Sequence, residues 1–538
     1  MEKVIQTCIA APLVIVLAAT LRCFVQWKFS PLQELPGPPQ KSAMFGYFFE
    51  ILKEPFMAPM KRWLKHHRQE NGNTPPFMSY STVFGRWSVA IFDCDIIQEI
   101  LTDPSAYKER QRFPKKYDFL RLSIGDGLVT LEGKSWSRHR RILQPSFQES
   151  VLQNALDQSV PALSQQLVEA WLSATGCTID LFSHMSAVTL DILGRVSFGH
   201  DFGGIGVIQT WSKCNSKSDS VEMQRKEETD LQDIQDPMLQ SIKASFKVTA
   251  YKSMIMILGL SRYMNVLSSQ SGKTARLLNE AASKVIANAR DKQKKSEHTP
   301  SSQESPRSLI HFLFKARDSD PNSGSSAAKY LSDLELRDET KTFIVAGHET
   351  TSSWAYWSLY ALALYPKVQE RLAKEVESHA AGKSPITTTT IQKMDYLQAF
   401  LTEVLRFYSP VGTIVRFTSQ EEKWRGYTIP AGTRLVLPIH LIHRHPDHYN
   451  RPDEFLPDRW LDSDAVRHKF AFFPFSGGPR NCIGQKFADI EVKILVATIV
   501  RACIIHLHPD TARDGVHFTS FVSMKSRTTL KITVEERP

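Results

Sequence analysis

The residue types best suited to chemistry lie in two short stretches of this chain, FSGGPRNCIG at 475–484 and AGHETT at 346–351. In the first, Cys482 precedes a run from Gln485 in which Phe487, Ile490, Ile494 and Ala497 recur at helical spacing. A thiol there meets free amide donors and the positive end of a helix dipole, both of which favour the thiolate. Gly477, Gly478 and Gly484 are expected to leave room for a flat, bulky group against the backbone, and Arg480 to face a carboxylate on it. The plain alternative is a buried structural cysteine. A nucleophile would need a histidine base, which the loop lacks, and zinc would need a second cysteine nearby. One thiolate with glycines and an arginine is better suited to haem iron, on which an axial cysteine favours O–O cleavage.

The second stretch lies mid-way along a segment free of proline from 334 to 365, expected to be one long helix crossing the core. Ala346 and Gly347 are small, so something large can approach, whereas Glu349, Thr350 and Thr351 put a carboxylate and two hydroxyls mid-helix. A locally widened turn facing a cavity is the expectation. Glu349 and Thr350 would then hold a water and relay protons to a buried acceptor. Taken singly, Gly347 reads equally well as a helix-packing contact and Glu349 as a solvated charge.

Several elements must position these two stretches. In LQAFLTEVLRFYSP, Glu403 and Arg406 share a helix face, and FLPDRW sets Arg459 in a turn-rich segment. An exposed ion pair is the usual meaning of such spacing. A second arginine makes a buried, architectural network the alternative. Strand signals are sparse and lie toward the ends, at 81–93 with a turn near Gly85, and at 527–536 where Leu530, Ile532 and Val534 alternate. Polar stretches at 215–236, 298–306 and 318–326 read as surface loops.

With 538 residues, 42% hydrophobic and 23% charged, the chain has material for a large core. Its seven scattered cysteines argue against a disulfide framework. A net charge of +10 comes with no groove-reading or base-stacking motif, so no nucleic-acid partner is expected. Residues 4–21 carry no charge and as a helix would span about 27 Å, close to a bilayer core. The expectation is an amino-terminal membrane anchor over 1–29, held with its basic flank toward the cytosol. The prolines of LPGPP make a stiff spacer over 30–40, and a catalytic domain fills 41–538.

Together these stretches resemble the cytochrome P450 superfamily of haem-thiolate monooxygenases, from about residue 35 to the carboxyl terminus. The signature F-x-x-G-x-R-x-C-x-G is met at Phe475, Gly478, Arg480, Cys482 and Gly484, and A-G-x-[D/E]-T-T at Ala346, Gly347, Glu349, Thr350 and Thr351. E-x-x-R falls on Glu403 and Arg406, with Arg459 as third member, and WSRHR supplies Trp136 and Arg140. The resemblance implies a mainly helical, triangular domain with a small β region. It makes Cys482 the iron ligand of haem b, with Trp136, Arg140, Arg480 and Arg416 toward the propionates and Thr350 and Glu349 relaying protons during O2 activation.

No nucleotide- or flavin-binding motif is evident, so the resemblance assigns electron supply to an NADPH-cytochrome P450 reductase, with cytochrome b5 as a second donor. Arg138, His139, Arg140, Arg141 and Lys486 are the candidate docking cations. It also implies an endoplasmic-reticulum membrane setting and a lipophilic small-molecule substrate, near Phe119, Leu122, Ile124, Leu128, Phe343, Ala346, 411–415, Phe518 and Phe521. Hydroxylation or epoxidation in terpenoid or other specialised metabolism is the sequence expectation. The alternatives are a fatty-acid or steroid hydroxylase, or a haem-thiolate rearrangement or dehydration enzyme needing no reductase.

Overall fold

The computed structural model describes residues 20–39, 42–102, 120–215, 269–297, 308–319, 330–380, 382, 384–462, 468–511, 516, 518–520 and 523–538. Most of these are helical. The long helix, Asp333–Leu364, begins at a capping box in which Ser332 Oγ accepts from the Glu335 amide and the Glu335 carboxylate accepts from the Ser332 amide. It is buried nearly all round, so it runs through the core rather than along its surface. Leu181–Leu193 and Gln485–Ala502 pack against it, and the latter, the cysteine helix, also packs on Glu149–Ser173.

Eleven strands are described: β1 Phe77–Ser81, β2 Trp87–Ile91, β3 Ile179–Asp180, β4 Ile414–Phe417, β5 Glu422–Trp424, β6 Tyr427–Ile429, β7 Arg434–Leu437, β8 Cys503–Leu507, β9 Phe518–Ser520, β10 Met524–Ser526 and β11 Lys531–Glu536. The largest sheet has the order β1-β2-β7-β4, with β2 and β7 parallel and the other pairs antiparallel. The turn near Gly85 and the burial of Ile532 and Val534 follow the sequence expectation. The mid-chain strands β4 to β7 were not expected. Between β5 and β6, Arg425 and Gly426 have φ of 51° and 84°, the pair of positive angles that a two-residue hairpin turn demands.

Two apolar cores result, one among the helices and one against the β1-β2-β7-β4 sheet. The anchor expected over 4–21 falls almost wholly on residues outside those described, and the described remainder is helical over 20–28. Among the described residues no helix is long and apolar enough to cross a membrane. The polar stretches expected to be surface loops also lie largely outside the described residues. No disulfide links the described cysteines.

Candidate active site

The cysteine loop is wedged between the two cores. On one side the Phe475 ring meets Trp354 of the long helix edge-on at 5.8 Å. On the other, a Cβ on Gly477 would lie 2.6 Å from the Phe470 ring, and one on Gly478 only 1.9 Å from the Leu101 carbonyl oxygen. Gly478 also has φ of +66°, so both space and backbone conformation demand glycine. These two glycines therefore let the loop approach protein backbone and ring, instead of leaving open space for a flat group as expected. Gly484 does leave it, since the nearest atom to its Cβ position is Phe147 Cε1 at 3.9 Å.

Cys482 is exposed, its amide donates to Phe475 O at 2.9 Å, and the cysteine helix starts three residues on at Gln485. Beside it, Arg140 donates to the carbonyl (3.0 Å) and the side-chain oxygen (2.9 Å) of Asn481. Burial lowers the Arg140 pKa, and the neighbouring Cys482 opposes that shift. Arg480 stacks its guanidinium 4.1 Å over the Trp136 ring, donates to Leu131 O at 2.9 Å and pairs with Glu132. Arg416 is buried on β4 and donates to Val415 O at 2.9 Å. The donor set fits a haem: a lone thiol ahead of a helix, an open face at Gly484, and Arg140, Arg480 and Trp136 on adjoining elements. No group of three or more metal-binding side chains that would compete for an ion occurs among the described residues.

WSRHR lies on the helix Gly133–Leu143, whose buried face carries Trp136, His139 and Leu143. Helical rotation splits the expected docking run accordingly. His139 is fully buried, with Nδ1 2.6 Å from Glu339 and Nε2 3.2 Å from Glu335, both on the long helix. Arg138 also pairs with Glu335 and donates to Tyr330 O. These two join helix to helix, so His139 is not a docking contact, whereas Lys134, Arg141 and Lys486 are exposed. Burial raises the Glu339 pKa against the opposing bond from His139.

Through AGHETT the long helix stays α-helical with no widened turn. Thr350 Oγ1 donates to Ala346 O at 2.8 Å, which accommodates the hydroxyl within the ordinary helical ladder. Gly347 faces Leu193, whose Cδ1 would lie 3.1 Å from an added Cβ, so it serves helix packing. Glu349 is neither solvated nor turned to Thr350. Its Oε1 takes hydrogen bonds from Ser523 Oγ and Lys525 Nζ, each at 2.6 Å. Sequence reasoning missed both partners. Their i,i+2 spacing across the start of β10, which in extended chain points two side chains to one side, was the available signal.

Glu403 and Arg406 are fully buried on the helix Asp395–Phe407. Arg406 binds Glu403 bidentately, Nε and Nη2 each at 2.8 Å, and gives its other hydrogen bonds to the carbonyls of His443, Pro452 and Glu454. Arg459 Nε (3.2 Å), Trp460 Nε1 (2.8 Å) and the Leu456 amide (2.8 Å) complete the carboxylate's shell. Trp460 was the member not foreseen.

Of the expected substrate contacts, Phe119 and Phe521 lie outside the described residues, as does the Leu122 side chain. Ile124 and Leu128 are buried, Phe343 stacks on Phe147 at 5.4 Å, and Phe518 packs with Trp357, Tyr408 and His440.

A family model described as Cytochrome P450 matches residues 36–532. Human cytochrome P450 4A11 is 28% identical over 532 residues, spanning 98% of this chain and 93% of that protein. Rabbit (Oryctolagus cuniculus) cytochrome P450 4A7 is 29% identical over 96% of this chain and 92% of its own length. Cytochrome P450 4c3 of Drosophila melanogaster is 28% identical over 77% and 74%. Among solved structures, the haem domain of cytochrome P450DA superposes with a TM-score of 0.70 at 25% identity, covering 94% of this chain and 97% of that one.

Proposed function

Since this chain belongs to the cytochrome P450 family and is a haem-thiolate monooxygenase, we propose that it hydroxylates the alkyl chain of a fatty acid, working from the endoplasmic-reticulum membrane with electrons from NADPH-cytochrome P450 reductase. The observation that carries the reading is near-full-length likeness to relatives of the 4A group, joined by a 4c relative matched over about three quarters of each chain. That company favours a fatty-acyl substrate over the terpenoid expected from sequence. The apolar character of Ile124, Leu128 and Phe343 suits a hydrocarbon chain.

Cys482 would hold the haem iron, with Arg140, Arg480 and Trp136 toward the propionates. Bound there, haem supplies O2 activation and insertion of one oxygen atom into a C–H bond. The chain's own part is to present the thiolate at a helix start, exclude water with the apolar wall, and hold a proton on Glu349 for transfer toward the Thr350 hydroxyl. Spectral titration with dodecanoate and with a sesquiterpene, followed by mass analysis of products made with reductase and NADPH, tests the assignment. Hydroxydodecanoate as the main product is expected. A spectral shift and product with the terpene alone would overturn the substrate, and turnover unaffected by omitting reductase and NADPH would overturn the monooxygenase.

A further inference from the structure

Glu349 is turned to the carboxyl-terminal hairpin β9–β10, which packs along the long helix. The hairpin is pinned to that helix by Ser353 Oγ and Trp357 Nε1, which donate to Met524 O at 2.9 and 3.0 Å, while the Met524 amide donates to Pro410 O at 2.7 Å. Ser523 and Lys525 flank Met524 and both reach Glu349 Oε1. The Lys525 side chain is 29% exposed and that of Glu349 5%, so the pair leads from solvent into the core. The Lys525 ammonium is further fixed 3.8 Å over the Phe182 ring. Thr350, meanwhile, spends its hydroxyl hydrogen on Ala346 O.

We propose that Lys525 is a positioning residue for oxygen activation: it holds Glu349 ionised at the solvent end of its travel, where the carboxylate is reloaded with a proton before turning toward Thr350. The proposal rests on Glu349 serving as the relay acid. Protons balance along this route. Glu349 gives one proton inward and, on its return, takes one from solvent at the partly exposed Lys525 end, while the ammonium keeps its own protons. Ser523 keeps Oε1 at the hairpin during the exchange. Without the cation, a charge this deeply buried loses the partner that offsets its desolvation.

Lys525→Met, Lys525→Arg and Glu349→Gln in the full-length holoenzyme test this with two readouts. The first is the fraction of consumed NADPH recovered as hydroxydodecanoate instead of peroxide. It should fall about three- to tenfold in Lys525→Met, fall at least as far in Glu349→Gln, and recover in Lys525→Arg. The second is the infrared carboxyl band. Lys525→Met should show a protonated carboxyl at neutral pH that the unaltered protein and the Lys525→Met/Glu349→Gln double variant both lack, a signature that mere loosening of the hairpin would not produce. Glu349→Gln uncoupling while Lys525→Met keeps full coupling, with no new band, would overturn the role of Lys525 alone. Full coupling in Glu349→Gln would overturn the relay reading and this inference with it.

Discussion

Glu403 accepts five hydrogen bonds from Arg406, Leu456, Arg459 and Trp460, using both oxygens, whereas Ser523 and Lys525 share a single oxygen of Glu349, which is nearly as well buried. Their cations differ likewise. Arg406 is fully buried, with all five N–H groups committed to Glu403 and three carbonyls, and Lys525 has its side chain partly in water. A planar guanidinium fork fixes one geometry, while a compact ammonium on a flexible stem tolerates several. The saturated carboxylate therefore ties helix Asp395–Phe407 to the segment 443–460, and the less saturated one has freedom to turn.

The comparison breaks most visibly at Arg406. Arg406→Ala would leave Glu403 as a buried charge with too few partners and strip donors from three carbonyls at once. Losing one partner of a buried pair costs about 3–5 kcal/mol. In denaturant titrations the unfolding free energy should fall by that much, with little haem retained. Loss of under about 1 kcal/mol would mean that the network carries no structural load.

Glu491, on the cysteine helix, extends the contrast to a carboxyl with no cation paired to it among the described residues. It is fully buried, its Oε1 has no hydrogen-bond partner, and burial raises its pKa well above the ordinary value. With the folded pKa above the unfolded value of about 4.3, the folded chain binds more protons in the interval between the two. The contribution of Glu491 to stability is thus full below about pH 4.3 and is lost as pH rises toward the folded pKa. Glu491→Gln removes that loss. It should leave stability unchanged near pH 4 and raise it by about 1–3 kcal/mol at neutral pH, the range for an unsatisfied buried group. Thermal unfolding across that interval checks it, and a gain that does not grow with pH would place the charge elsewhere.

The legibility of these three glutamates in the sequence differed for physical reasons. Glu403 and Arg406 are three apart on one helix, so their meeting was local, and PDRW pointed to Arg459. The helix start behind Cys482 was legible because the apolar spacing that marks it lies within a few residues. Lys525 was not, because its partner is 176 positions away and only the tertiary fold joins hairpin to helix. His139 was misread as a docking contact because a run of like residues on a helix is not a face. The glycines at 477 and 478 were misassigned because sequence shows that room is needed without showing what fills it. The short strands β4 to β7 lacked length more than pattern: three or four residues carry too few alternations to separate from loop.

The smallest effect on stability is expected at Glu349. Its lysine remains partly solvated, and exposed or half-exposed pairs contribute about 0–1 kcal/mol. Glu349→Gln keeps the shape and can still accept from Ser523, so unfolding should shift by less than about 1 kcal/mol. The same substitution at Glu403 would strip charge from a fully buried shell and cost several times more. Measuring both variants by the same denaturant titration tests the division directly. If Glu349→Gln proves as destabilising as Glu403→Gln, the carboxylate of AGHETT is a structural clamp between helix and hairpin, and the freedom that a relay requires is absent.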